Sequence, residues 1–133
     1  MDPRCKKCNA RCCRYYCFQI DSPDTFEEFD NIRWYLMHDN TTVHIDLAGD
    51  WYIKVDNRCK NLVEPPGGGH ACKDYANRAF VCRQLSPARC DFARGHYSYE
   101  ELFTTPQELE VYARRMLGDL AWKAGQKKLA RKK

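Results

Sequence analysis

Residues 42–55, TVHIDLAGDWYIKV, alternate apolar and polar side chains on both sides of an Ala-Gly-Asp turn. Alternation with a period of two residues is typical of a strand that buries one face, and two such runs joined by a turn predict a β-hairpin. The side chains expected to point inward are Val43, Ile45, Leu47, Trp51, Ile53 and Val55. The hairpin lies in the middle of the chain, where residues 18–58 contain no cysteine.

A helical pattern precedes the hairpin. Phe26, Phe29 and Leu36 recur at helical spacing within PDTFEEFDNIRWYLMH, which begins at residue 23. Proline is favoured at the first position of a helix because its missing N–H has no partner there in any case. We therefore predict a helix over residues 23–37 that begins with Pro23.

A second helical pattern follows near the end of the chain. Thr105, Pro106 and Glu108 form a capping box with proline at the first helical position, and we predict one long helix from there. Its expected apolar stripe consists of Leu109, Tyr112, Ala113, Met116, Leu117, Leu120 and Ala124. The basic tail KKLARKK suits the negative end of the helix dipole.

Nine cysteines in 133 residues are several times the ordinary number, and they occur in two blocks, within residues 1–20 and 57–95. Such a content indicates disulfides, metal or redox chemistry. The N-terminal sequence MDPRCKKCNARCCRYYC lacks the apolar stretch of about 7–15 residues of a secretory signal. No run of about 18 apolar residues suggests a membrane span. We therefore expect a cytoplasmic protein, not bound to a membrane, whose reduced thiols hold metal.

The first cysteine block, CKKCNARCC at residues 5–13, has the spacing of metal ligands. Cys5 and Cys8 are separated by two residues, and a turn between such a pair brings both sulfurs to one ion with little strain. Cys12 and Cys13 are adjacent, and side chains of consecutive residues diverge. This pair would therefore more easily serve two centres, or two corners of one cluster.

The second block contains Cys59, Cys72, Cys82 and Cys90 at wider spacing. The two blocks must meet in space if they share metal. Together, eight cysteines suffice for two four-sulfur zinc sites, or for one iron-sulfur cluster with a second site.

A cationic residue stands directly beside every cysteine except Cys17, which lies between Tyr16 and Phe18. Four thiolates on one zinc leave a net charge of about −2, and neighbouring cations offset that excess and lower thiol pKa values. We therefore interpret the other eight cysteines as ligands and Cys17 as a small buried core residue.

The cysteine pattern resembles that of the YkgJ-type cysteine-cluster family, described as zinc- or iron-chelating domains. The family order is C-x2-C-x3-CC, then C-x-x-L, then C-x-x-Y-x-x-R-P-x-x-C-R and a final cysteine. The positions that match it are Cys5, Cys8, Cys12, Cys13, Cys59, Leu62, Cys72, Tyr75, Arg78, Cys82, Arg83 and Cys90. The chain departs from the family at Ala79, where proline is usual, and in the insertion EPPGGGH before Cys72.

The resemblance implies metal binding by these eight cysteines. It also suggests that Tyr75, Arg78 and Arg83 support the ligands, since N–H donors to sulfur orient a ligand and tune the metal. A related motif in flagellin lysine methylases is associated with an iron-sulfur cluster, which keeps an enzymatic or redox interpretation open.

These observations predict a small single-domain α+β protein with a β-hairpin, two main helices and cysteine-rich metal-binding loops. Residues 1–103 would form the cysteine-rich domain, and residues 104–133 an amphipathic helix with a basic tail packed on the same domain. EPPGGG at 64–69 would be a loop, because its prolines fix the backbone and its glycines free it.

The expected function is to hold zinc in one or two centres, as a structural or chelating site. One alternative is an iron-sulfur protein with a redox role or one that supports a modifying enzyme, because thiolates bind zinc and iron alike. Another is a zinc-stabilised adaptor for nucleic acid or protein, although a net charge of +4 is weak support for nucleic acid. No catalytic residue is identified, which favours a protein that is not an enzyme.

Overall fold

The computed structural model describes residues 8, 10–84, 90 and 99–132, so the predicted ligand Cys5 lies outside the described residues. The described elements, in chain order, are β1 Tyr15–Ile20, α1 Phe26–Tyr35, β2 Thr41–Asp46, β3 Trp51–Asp56, β4 Leu62–Val63, β5 Ala71–Cys72, α2 Phe80–Gln84, β6 Tyr99–Phe103, α3 Pro106–Leu117 and α4 Asp119–Ala130. Short 3-10 helices span Arg11–Cys13 and Tyr75–Asn77. The predicted α+β class is confirmed. Within the described part, no helix is long and apolar enough to cross a membrane.

The predicted hairpin is the centre of a four-stranded sheet with the order β1-β3-β2-β6. Strands β2 and β3 pair antiparallel, with Val43 opposite Ile53, and β6 pairs antiparallel with the other edge of β2. The turn is closed by the Asp46 carboxylate, which accepts hydrogen bonds from the amides of Ala48 at 3.0 Å and Asp50 at 2.9 Å. Leu47 belongs to this turn and is 74% exposed, so its predicted inward position is wrong.

Backbone contacts divide the chain into two compact units. We call Cys17–Val55 with Tyr99–Lys133 the core unit, and Met1–Tyr16 with Asp56–Ser98 the cysteine unit. The buried hydrophobic cluster belongs to the core unit and consists of Phe29, Ile32, Leu36, Val43, Ile45, Trp51, Ile53, Phe103, Leu109, Ala113 and Trp122. In the described part of the cysteine unit, the buried hydrophobic residues are Ala10 and Leu62.

The two predicted helix starts have different outcomes. Helix α1 begins at Phe26 rather than Pro23, because the Thr25 hydroxyl accepts a hydrogen bond from the Glu28 amide at 3.2 Å and caps the helix there. The Glu28 carboxylate in turn accepts from the Asp24 amide at 2.8 Å. The second start is confirmed: Thr105 caps α3, with proline at the first turn.

The predicted single C-terminal helix is wrong, because Gly118 divides it into α3 and α4. Gly118 has φ 89° and ψ 150°, a conformation that glycine adopts without steric cost. The break changes which side chains face inward: Trp122 is 2% exposed, whereas the predicted core residue Leu120 is 87% exposed. Gly125 then lies so close to the Phe26 ring that an added Cβ would be 2.3 Å from it.

Candidate metal centre

Main-chain hydrogen bonds hold the two cysteine blocks together within the cysteine unit. The carbonyl oxygen of Cys13 accepts from the Cys59 amide at 2.7 Å. One residue on, the Arg14 carbonyl accepts from the Asn57 amide at 2.8 Å. Cys13 is the last residue of the 3-10 helix that also contains Cys12. The backbone therefore places a ligand predicted from the first block beside one predicted from the second.

Cys59 begins a tight turn in which two main-chain amides donate hydrogen bonds to Cys59. The Leu62 amide donates to the Cys59 carbonyl at 3.2 Å, and the Asn61 amide donates to the Cys59 sulfur at 3.5 Å. Leu62 is only 4% exposed and anchors the turn by packing.

Cys72 is brought against the same turn by the short β4–β5 ladder. Leu62 lies opposite Cys72, and the Lys73 amide donates to the Asn61 carbonyl at 2.7 Å. The EPPGGG segment joins these strands, and the predicted loop is confirmed; within it the Gly68 amide donates to the Pro65 carbonyl at 3.0 Å. This loop therefore joins the two strands whose register sets Leu62 opposite Cys72.

Cys82 lies in α2, and Arg83 of this helix is hydrogen-bonded to the turn after Cys72. The Arg83 guanidinium donates to the carbonyls of Ala76 at 2.7 Å and Arg78 at 3.2 Å. Arg78 donates to the Tyr75 carbonyl at 3.2 Å and lies 3.8 Å above the Tyr75 ring. The three residues that the family pattern singled out thus contact one another and brace the Cys72–Cys82 connection. Donation from them to sulfur stays a prediction.

Burial and neighbouring thiols both shift the pKa values of Cys12 and Cys13. The pKa of Cys12 is raised to about 12, first by burial and then by the charge of the Cys13 and Cys8 thiols. Burial also raises the pKa of Cys13, and the charges of Cys59, Cys72 and Cys82 raise it further, while a hydrogen bond with Cys12 lowers it. Several thiolates crowded together repel one another, and a bound cation would relieve that repulsion.

Glu64 is a residue of this region that the sequence analysis missed. Its carboxylate binds the Arg14 guanidinium and lies 3.7 Å from a guanidinium nitrogen of Arg58. Arg14 chiefly, and Arg58 secondarily, hold the pKa of Glu64 below its ordinary value. These arginines flank Cys13 and Cys59 in the sequence, so one carboxylate ties together the cations beside two predicted ligands. The cationic residues beside the cysteines were the sequence feature from which an acidic ion-pair partner could have been predicted.

Fewer contacts are known for the remaining described cysteines. The charge of the Cys8 thiol contributes to the raised pKa of Cys12, and Cys90 is partly buried. Cys17 lies in β1 of the core unit and is exposed, so its interpretation as a buried core residue is wrong. Cys17 is one of the central residues of β1, and these residues are exposed.

Cysteine side chains are donors of the type that thiophilic metals bind. Thiolate sulfur is the preferred ligand of zinc and of iron-sulfur clusters, and an amide directed at a ligand sulfur is a common support for such sites. None of the eight described cysteines forms a disulfide. Among the described residues, no group of three or more His, Cys, Asp or Glu side chains is arranged to hold a metal ion.

Comparisons of the chain with protein-family models, with curated proteins and with solved structures found no match. The resemblance to the YkgJ-type cysteine-cluster family stays a prediction that depends on the cysteine pattern.

Proposed function

We propose that the cysteine unit binds zinc through its thiolates and that the metal stabilises this unit. The observation that carries the proposal is the hydrogen bond between Cys13 and Cys59 and the pairing of Leu62 with Cys72, in a unit whose described residues bury only two apolar side chains, Ala10 and Leu62. Small units that lack a sufficient core are usually stabilised by disulfides or metal, and the described cysteines form no disulfide.

Each part of the unit has a distinct task in this proposal. The cysteines supply thiolates, the Asn61 amide donates a hydrogen bond to the Cys59 sulfur, and the ion pairs of Glu64 with Arg14 and Arg58 link the segments that contain Cys13 and Cys59. Zinc, when bound, links chain segments that are distant in sequence. A site closed by four sulfurs leaves no open position for a substrate, so the expected role is structural.

The proposal includes a reducing compartment. Thiolate ligands must stay reduced, and the cytoplasm keeps them so. We therefore propose a cytoplasmic protein, with a metal ion as its ligand and a protein partner as a further candidate.

The test is purification of the full chain without oxygen, followed by elemental analysis and an absorption spectrum of one sample. Two four-sulfur sites predict about two zinc ions per chain and a colourless protein. Iron with sulfide and absorption near 400 nm would instead establish the iron-sulfur alternative.

A Cys17→Ser variant is the matched control, because Cys17 lies in the core unit and its loss should leave the metal content unchanged. Protein that contains no metal, and that keeps its fold under a strong chelator, would contradict metal binding altogether.

A further inference from the structure

A groove lies between the first turn of α1 and the last turns of α4, both of which belong to the core unit. Its volume is about 340 Å³, near the lower end of the range for small-molecule sites. We propose that this groove binds a small organic anion, a compound with an apolar body and a single carboxylate. Because the groove belongs to the core unit, the proposal is independent of the metal.

The floor of the groove is apolar. Phe26 of α1 and Leu129 of α4 both line it, and Leu129 is 46% exposed, so its side chain offers apolar surface to a ligand. Gly125 also lines the groove, and because it has no side chain, the Phe26 ring lies directly against α4. The same ring meets the buried Trp122 edge-on at 4.7 Å, which holds it in place. The floor is therefore preformed, as in most small-molecule sites.

The cations of the groove come from one side of the end of α4. Lys128 is three residues after Gly125, and Lys132 follows four residues later, a spacing at which helical side chains are neighbours. The Glu27 carboxylate lies 3.9 Å from the Lys132 ammonium and offsets its charge. Within the described part of the chain, Lys128 forms no ion pair, so one positive charge at the groove has no counter-charge there.

This combination of floor and charge is complementary to an acid whose body is apolar. Burial of the apolar body would supply most of the binding free energy, and the Lys128 ammonium would add a smaller share that favours acids over neutral analogues. Two lysines and one glutamate leave a single positive charge, which matches one carboxylate better than a doubly charged phosphate. The lining spans about one turn of α1 and two turns of α4, which suits a compact molecule rather than an extended peptide.

The test is an NMR titration of the isotopically labelled full chain with phenylbutyrate and, separately, with its neutral analogue phenylbutanol. We expect the amides of Phe26, Gly125 and Leu129 to shift in both titrations. Phenylbutyrate should bind about two- to fivefold more tightly than phenylbutanol, the ratio that one exposed ion pair supplies. Equal affinities for the two compounds, or no shifts at these three amides, would overturn the proposal.

Two variants with matched controls separate the charge from the floor. Lys128→Gln should abolish the preference for the acid, whereas Lys123→Gln, which changes a charge of the same helix outside the groove, should retain it. Leu129→Ala should weaken the binding of both compounds roughly fivefold, because apolar contact area is lost. Leu120→Ala, which changes a largely exposed residue of the same helix, should weaken neither. A preference for the acid that survived Lys128→Gln would contradict the role of that lysine.

A peptide with a free carboxylate next to an apolar side chain tests the other source of this chemistry. A tetrapeptide that ends in phenylalanine should bind no more tightly than phenylbutyrate, because the groove has room for little more than the terminal residue. Tighter binding of the tetrapeptide would assign the groove to a peptide partner and overturn the assignment to a small molecule. Removal of metal should leave phenylbutyrate binding unchanged, so failure of this proposal and failure of zinc binding are distinguishable.

Discussion

The core unit and the cysteine unit differ in what holds a short chain in one conformation. In the core unit, aromatic rings pack on one another: Trp51 stacks on Phe103 at 5.7 Å, and Phe26 meets Trp122 edge-on at 4.7 Å. In the described part of the cysteine unit, main-chain hydrogen bonds and guanidinium-to-carbonyl contacts join the segments that contain the cysteines. Apolar packing sustains a unit by itself, whereas hydrogen bonds between exposed groups contribute little net free energy. From this comparison we expect the cysteine unit, as far as it is described, to depend on a cross-link that the core unit does not need.

The largest expected effect is that of metal removal. Structural zinc contributes roughly 10 kcal/mol to the folding of small zinc modules, so chelation should unfold the cysteine unit and leave the core unit folded. Amide hydrogen exchange would report this directly. The amides of Cys59, Leu62 and Lys73 should lose protection, while those of Val43 and Ile53 keep it. Equal protection in all five, in protein verified to be metal-free, would remove the distinction between the units.

The converse experiment breaks the core unit alone. Trp122 is almost completely buried, and removing a buried aromatic side chain costs about 3–5 kcal/mol, so Trp122→Ala should lower the free energy of unfolding by that amount. Zinc content should not change. Leu120→Ala is the matched control, because Leu120 lies in the same helix and is largely exposed. A similar loss for both variants would show that α4 does not pack as described.

A smaller effect is expected from overpacking at Gly125. An added methyl group would lie 2.3 Å from the Phe26 ring, and overpacking a filled site costs about 1–3 kcal/mol. Alanine regains about 1 kcal/mol through its better helix propensity, so Gly125→Ala should be modestly destabilising in thermal melts. Gly67→Ala is the control, because a Cβ there meets nothing within 4 Å. A more stable Gly125→Ala protein would contradict the close approach of α4 to Phe26.

The smallest effect is expected at Glu64. Arg14 and Arg58 lower the pKa of Glu64, so the contribution of these ion pairs to folding stability is fully present above the ordinary glutamate pKa of 4.5. This contribution is lost as the pH falls through the lowered pKa of the folded protein. Glu64→Gln should therefore lose zinc to a chelator slightly faster than wild type, by the same factor throughout neutral pH. Glu101→Gln, which removes an exposed ion pair of the core unit, should leave zinc loss unchanged. A wild-type advantage that changed between pH 6 and 8 would assign it to another group.

The sequence predicted those parts of the fold that depend on local patterns. The β2–β3 hairpin followed from alternation, and the α3 start from the Thr105 capping box. Strand β6 was missed because its residues, YEELF, do not alternate clearly and are ordered by pairing with β2. The break at Gly118 was missed because a glycine within a helical pattern is tolerated locally, and its consequence depends on packing around Trp122.

At the candidate site, the residue types were predictable and their arrangement was not. Cysteine number and neighbouring charge separated Cys17 from the rest, and the structure places it in the other unit. The bond between Cys13 and Cys59, and the link from Glu64 to Arg14, join residues distant in sequence. No periodicity encodes such contacts.

Strand β6 pairs with β2, yet the chain between β3 and β6 passes through most of the cysteine unit. Before β6 can find its place, the polypeptide must close a long loop, and the entropy lost in that closure slows folding. Metal bound from Cys59 to Cys82 would shorten the effective length of that loop. The cysteine unit, which supplies none of the side chains buried in the described core cluster, would then set how fast the sheet is completed.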